Sequence, residues 1–397
     1  MSWIGPISLL LLVLFIPALA GEISVGPEGC DYVSIQAAVD AANAGDSIDV
    51  MAGVYRERVN VTKTLILRGH GLPVVDAGGI GSPIALLADG ITVEGFAAQN
   101  ASVNWSADGG IRVLSSNNTI QGNRLNNTWR DIILIRSNGN AIRDNFLTGA
   151  QEGLLLLESN DNSIIGNLII ENEDDGLILD NSSRNIVREN QVIENFDDGI
   201  ICINGSKENL VVDNLASGNG WHGIEMFLAD NNSLYGNSAI GNGICNILLL
   251  GSDSCIVADN QACSGLNVGI FIIISDENEV VGNNASENGI AGIFIDRSYN
   301  NTLKENQVMH NGLVGLWVIN SFGNEIYGNL LIDNIKFDAY DASGNRWDDG
   351  RIGNRHGQFD EPREGCKDAD ADTICDRSYA IPGNESVDEY PLIKDVA

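Results

Sequence analysis

Basic residues are scarce: 22 Lys and Arg stand against 54 Asp and Glu, for a formal charge of −32 at pH 7. A surface of that sign repels phosphate backbones, which argues against a nucleic-acid partner, and it attracts cations. Histidine and methionine are also few, four of each, and too scattered to form a soft-ligand copper site. Beyond residue 20 no segment is long and apolar enough to span a bilayer, so no transmembrane helix is expected in the mature chain. The opening run ISLLLLVLFIPALA has the length of a secretory leader, and Ala18-Leu19-Ala20 fits a small-residue cleavage site, although the usual basic residue in front is missing. Residues 1–20 are therefore expected to be a signal peptide, and the protein to be secreted.

The seven cysteines are an odd number. Cys366 and Cys375 flank an acidic loop and could pair in an oxidising compartment, and Cys202 is expected in the core. Cys30, Cys245, Cys255 and Cys263 have no assignment. Triplets N-x-S/T recur, among them Asn60, Asn104, Asn204, Asn300 and Asn384, so the chain carries potential glycosylation sites.

What the chain has in abundance is one repeated unit. NTLKENQVMHN, from Asn301 to Asn311, is preceded by NEVVGNNASEN from Asn278 and followed by NEIYGNLLIDN from Asn324, each 23 residues away. Units begin at Asn118, Asn140, Asn162, Asn185, Asn209, Asn232, Cys255, Asn278, Asn301 and Asn324, and the sixth position is always Asn. The third position is an unbroken aliphatic column from Ile120 to Ile326, which must be buried. A second apolar pattern of period two follows a glycine in each unit, as in GLILD, GIICI and GIFID, and marks a strand. With β-branched residues, Gly and Asn dominating, the period selects a parallel β-helix over a leucine-rich repeat. Three short strands per coil are expected around a side-chain-filled core, with coils stacked about 4.8 Å apart. Asparagine at the corners would tolerate left-handed backbone, and its amide would bond the amides above and below.

SIQAAVDAANAGDSI places Ile35, Ala38, Val39 and Ala42 at helical spacing, a candidate helix over about 31–46 that lids the first coil. The solenoid itself is expected to begin near Ser47 within a β-helix domain of 21–346, with regular coils at 110–346 and an acidic cap at 347–397.

The stretch from Asp31 to Gly71, the PVVDAGG and ADGITVEGF pieces, and the tail GNRWDD with KDADADTICDRSYAIPGNESVDEYPLI resemble the NosD-like family of exported right-handed parallel β-helix proteins. That family belongs to the pectin-lyase-like group of carbohydrate-binding proteins and sugar hydrolases. The tail is similar to one found in surface proteins of methanogens, with Ala and Thr in place of the glycines of that pattern. The resemblance implies a cell-surface protein with a glycan or cell-envelope partner, and, through the family's name, a periplasmic copper-related accessory role.

Three constellations carry chemistry. On consecutive coils the turn before the strand reads NEDDG with Asp174 and Asp175, NFDDG with Asp197 and Asp198, and NGWHG with Trp221 and His222; Glu225 follows on the next strand. Register stacking gathers these groups into one patch. The patch is similar to that of polygalacturonase-type glycosidases, which implies Asp175, Asp197 and Asp198 as acid and base with His222 tuning them. Trp221 departs from the Gly-His-Gly motif of those enzymes, and no basic substrate-binding triplet follows. A cation site at the same patch is the alternative.

The second constellation is an outward stripe, Ile133, Leu155, Ile178, Ile201, Glu225, Leu248, Phe271, Phe294 and Trp317, which is apolar where solvent should favour polar residues. Its aromatic end could stack on sugar rings or meet a neighbouring protein, unless a loop or the tail covers it. The third is CKDADADTICD, where Asp368, Asp370, Asp372 and Asp376 have the alternation that wraps a hard cation, so a structural Ca2+ is expected there. The sequence thus predicts an exported β-helix acting as a glycan-binding or envelope scaffold, with a carbohydrate hydrolase, lyase or epimerase as the competing class.

Overall fold

A computed structural model describes residues 20–102 and 107–394; the expected leader lies, apart from Ala20, outside the described residues. The chain winds into a parallel β-helix of the right-handed, pectin-lyase-like class. One sheet has 14 strands, a second has 13, and a third has 10 strands with three more continuing it. Strands one unit apart are hydrogen-bonded neighbours in register: Ile142 lies between Ile120 and Ile164, and Leu179 between Leu156 and Cys202. The aliphatic column is completely buried, and so is Cys202. A third column from the remaining sheet, Leu125, Leu147, Ile169 and Val192 among its members, closes the core.

Asparagine amides form ladders along the corners; the first-position ladder is interrupted at Cys255, where Asn232 Nδ2 turns to Ser206 O and Ala229 O. From Asn123 to Asn354 the sixth-position ladder has no break, with each Nδ2 donating to the next Oδ1 at 2.8 to 3.0 Å. The same Oδ1 accepts the backbone N–H of the preceding asparagine, as Asn190 Oδ1 does from Asn167 at 2.9 Å. Each amide therefore satisfies a buried corner N–H that no strand pairs. The ladder starting at Asn172 would fail at Gly265, and Asn246 from a neighbouring strand fills the gap, linking Asn242 to Asn288. A serine ladder that the repeat did not disclose runs alongside, Ser137 to Ser159 to Ser182 to Ser206, each backbone N–H donating to the next hydroxyl.

The left-handed backbone is not at the ladder asparagines, as expected, but one residue earlier: Asn117, Gly122, Asp144 and Glu189 have φ of 58°, 61°, 55° and 55°. The residue that turns the chain points outward, and the next one is then free to aim its amide along the stack. Gly176 has a different constraint: a Cβ there would clash with Val192 and come within 2.7 Å of Gly199 O.

The helix Ile35–Ala41 forms under a Ser34 cap and buries Ile35, Ala38 and Val39 over the first turn. The solenoid begins earlier than Ser47, because the strand Glu22–Val25 already pairs with Ser47–Met51. At the other end each asparagine ladder stops on an aspartate: the Asn334 amide donates to Asp338 and the Asn345 amide to Asp341, while Asn354 gives Asp388 its backbone N–H at 2.7 Å and its amide at 3.4 Å. Cys366 and Cys375 form a disulfide in the terminal segment.

Candidate functional site

Stacking brings the acidic residues of the three turns together on one face. Backbone bonds set the register: Asp197 N–H donates to Asp174 O, and Trp221 N–H to Asp197 O. Asp175 and Asp198 extend that order with their side chains, accepting from Asp198 N–H at 2.9 Å and His222 N–H at 2.8 Å. Both aspartates thus do for this turn what asparagine does at the corners, and each keeps a second oxygen for other work. Ligand-capable atoms of Asp174, Asp175 and Asp197 lie within 4.8 Å of one another, and those of Asp198, His222 and Glu225 do likewise.

Burial controls the charge of the patch. It pushes Asp175 up to about 7, helped by the negative charges of Asp174, Asp197 and Glu152 and opposed by the Asp198 N–H. Asp198 is driven far up by burial and by the hydrogen bond and charge of Glu225, so this carboxyl pair holds a proton at neutral pH. Asp197 rises through burial and the charges of Asp174 and Glu225, and burial lowers His222 toward the neutral imidazole. The face is consequently less negative than its composition suggests. It can donate hydrogen bonds as well as accept them.

Three neighbours were not read from the sequence. Cys245 lies in register with His222, and burial together with Glu225 and Asp198 raises its thiol to about 12. Arg130 pairs with Glu152 at 2.6 Å on the preceding coils, so this cation is already engaged. All three align with the turn acids only through strand register, which the motif spacing did not cover.

Trp221 is 52 % exposed and stands edge-on to His222, 6.3 Å between ring centres. The aromatic stripe behaves differently. Phe271 and Phe294 stack at 4.7 Å, and Phe294 and Trp317 at 4.8 Å, so both faces of Phe294 and one face each of Phe271 and Trp317 are taken up within the stripe. Further along, Ile133, Leu155, Ile178 and Ile201 are buried against each other and against Ile135, Leu157 and Ile203. The stripe is therefore not an open apolar surface: large side chains repeated at one strand spacing shield their neighbours.

In the terminal loop, Asp368, Asp370 and Asp372 converge within 4.8 Å, and mutual repulsion, chiefly from Asp372, raises Asp370. Asp376 is not part of this group; it accepts from Ala369 N–H at 3.1 Å.

No helix among the described residues is long and apolar enough to cross a membrane. Among solved structures, the A-module of the Azotobacter vinelandii mannuronan C-5 epimerase AlgE4 is similar at TM-score 0.59 and 16 % identity, over 74 % of this chain and 89 % of that one. The A-module of the AlgE6 epimerase of the same organism follows at TM-score 0.51 and 15 % identity, over 76 % and 89 %. The Dettilon tailspike protein matches at 0.50 and 15 %, over 69 % and 62 %. Identities this low show a common fold. No curated protein matches the chain. The family model for NosD, described as a periplasmic copper-binding protein, matches residues 40–221 and 214–357, and with most of its β-helix so covered the chain belongs to the NosD family.

Proposed function

We propose that this protein is an exported, cell-surface β-helix that binds a carbohydrate polymer and serves as a glycan-binding or envelope scaffold. The observation that carries the reading is Trp221: its half-exposed ring lies beside buried carboxyls and a neutral imidazole, an apolar platform next to groups that pair with sugar hydroxyls. Arg130 is tied to Glu152, and the chain carries −32 overall, so neutral or amine-bearing sugars suit the patch better than polyuronates. The experiment is a glycan array on residues 21–397, followed by calorimetry on the hits with Trp221→Ala as control. Loss of at least tenfold in affinity is expected. Undiminished binding by the variant, or binding confined to polyuronates, would overturn the assignment.

A second reading has its own support. Asp175 and Asp197 sit close together with different burial, the asymmetry that a general acid and a base require, and Asp198 and His222 tune them. Release of reducing ends or unsaturated uronates from a polysaccharide panel, abolished in Asp198→Asn, would establish an enzyme. The terminal loop completes the proposal: Asp368, Asp370 and Asp372 provide carboxylate oxygens for a structural Ca2+ beside the Cys366–Cys375 disulfide.

A further inference from the structure

Asp198, His222 and Glu225 come from two consecutive coils and are 4 %, 7 % and 8 % exposed. A ring nitrogen of His222 and one carboxylate oxygen from each acid all fall within 4.8 Å. One Asp198 oxygen is occupied by the His222 N–H, which fixes the carboxyl and leaves its other oxygen uncommitted to that bond. His222 Nδ1 is buried and has no hydrogen-bond partner. The other three histidines each face a carboxylate: His70 faces Asp49, His310 faces Asp333 and His356 faces Asp388. A buried polar atom left unpaired is costly, and so are two carboxyls confined together. One cation bound between the three side chains would relieve both costs.

We infer that Asp198, His222 and Glu225 form a binding site for a single divalent transition-metal ion. One imidazole nitrogen and two carboxylate oxygens make a borderline donor set that suits Zn2+, Co2+ or Cu2+, with positions left open for water. It is a poor set for Ca2+, which prefers oxygen throughout. It is also poor for Cu+, which seeks thiolate or thioether: Met226 points into the core, and the Cys245 sulfur is not among the ligand atoms that converge here. The residues thus fit the family's copper in its divalent state only. The site lies behind Trp221 and shares His222 and its carboxyls with the proposed sugar patch, so the inference rests on the same face while its test reads the metal without any sugar.

The test is titration of chelator-treated protein with Co2+, read by ligand-field absorption, and with Zn2+, read by calorimetry. Asp370→Ala serves as the background to silence the terminal loop. One equivalent is expected, displaced by Cu2+ in line with its higher place in the divalent affinity series. His222→Ala and the isosteric Glu225→Gln should each weaken binding at least tenfold while keeping the parent circular dichroism, and Trp221→Ala should bind as the parent does. Absence of saturable binding in the folded parent, or unchanged affinity in a folded Glu225→Gln, would overturn the assignment. Loss of sugar binding in Trp221→Ala with metal binding intact would distinguish failure of the sugar reading from failure of the metal assignment.

Discussion

Asn190 lies inside the unbroken ladder, with partners on both sides, and is 1 % exposed. Its Oδ1 accepts from Asn167 N–H and Nδ2 at 2.9 and 3.0 Å, and its Nδ2 donates to Ile164 O and Asn214 Oδ1 at 2.9 and 3.0 Å. Asn190→Ala deletes all four bonds but keeps the backbone N–H that reaches Asn214 Oδ1. The heaviest loss is the Asn167 N–H, which is left buried without an acceptor at about 1–3 kcal/mol. The three remaining bonds are shared with other partners, so each is worth at most about 0.5–1 kcal/mol. The expected destabilisation is about 2–5 kcal/mol, which would consume a large part of the stability of an ordinary domain. Urea unfolding followed by circular dichroism measures it, with Gln191→Ala, on the exposed neighbouring position, expected within about 0.5 kcal/mol of the parent. Exchange of the Asn167 amide should accelerate in the first variant only. If the urea midpoints of the two variants coincide, the ladders are not a principal source of cohesion and the account of the corners fails.

Gly176→Ala drives a methyl group against Val192 and toward Gly199 O, so a loss of about 1–3 kcal/mol is expected in the same urea assay; an unchanged midpoint would show that the coil has slack. Asp131 is fully buried, accepts one bond from Thr128 at 2.8 Å, and has an oxygen without a partner; burial raises its pKa well above the ordinary value. A raised folded-state pKa contributes stability that is complete below about pH 4 and drains away as pH rises toward the folded value. Asp131→Asn should therefore gain on the parent in melting temperature between pH 4 and pH 8, and parallel pH profiles would contradict the buried acid. Addition of Ca2+ should raise the melting temperature of the parent and leave Asp370→Ala unmoved; an equal shift in both would place the ion elsewhere.

The part of the fold that obeys one period was legible, and the part that depends on side-chain direction was not. The aliphatic column and the ladder positions recur every 22 to 24 residues, and the structure places them as stacked neighbours. Period alone does not say which of two adjacent corner residues bears the left-handed turn, so Asn145 was assigned what Asp144 carries. Nor did it show that Phe271, Phe294 and Trp317, one unit apart, would consume one another's faces. The acidic turns were found because Asp174–Asp175 and Asp197–Asp198 repeat. Cys245 was not found, because its tie to His222 runs through strand register and no repeated motif marks it. Asp338, Asp341 and Asp388 escaped for a related reason: they belong to the end of the repeat, where its rules stop.

Those three aspartates decide where the molecule finishes. Along the sixth-position stack an amide such as that of Asn145 donates one hydrogen forward to the next Oδ1 and the other back to a carbonyl, and a carboxylate can receive such a hydrogen but has no amide hydrogen to pass on. Asp341 and Asp388 are buried under the terminal segment, and at the opposite end the helix Ile35–Ala41 covers the first coil. The stack is thus closed at both ends by its own chain, the protection that parallel strands need against edge-to-edge addition of a further copy.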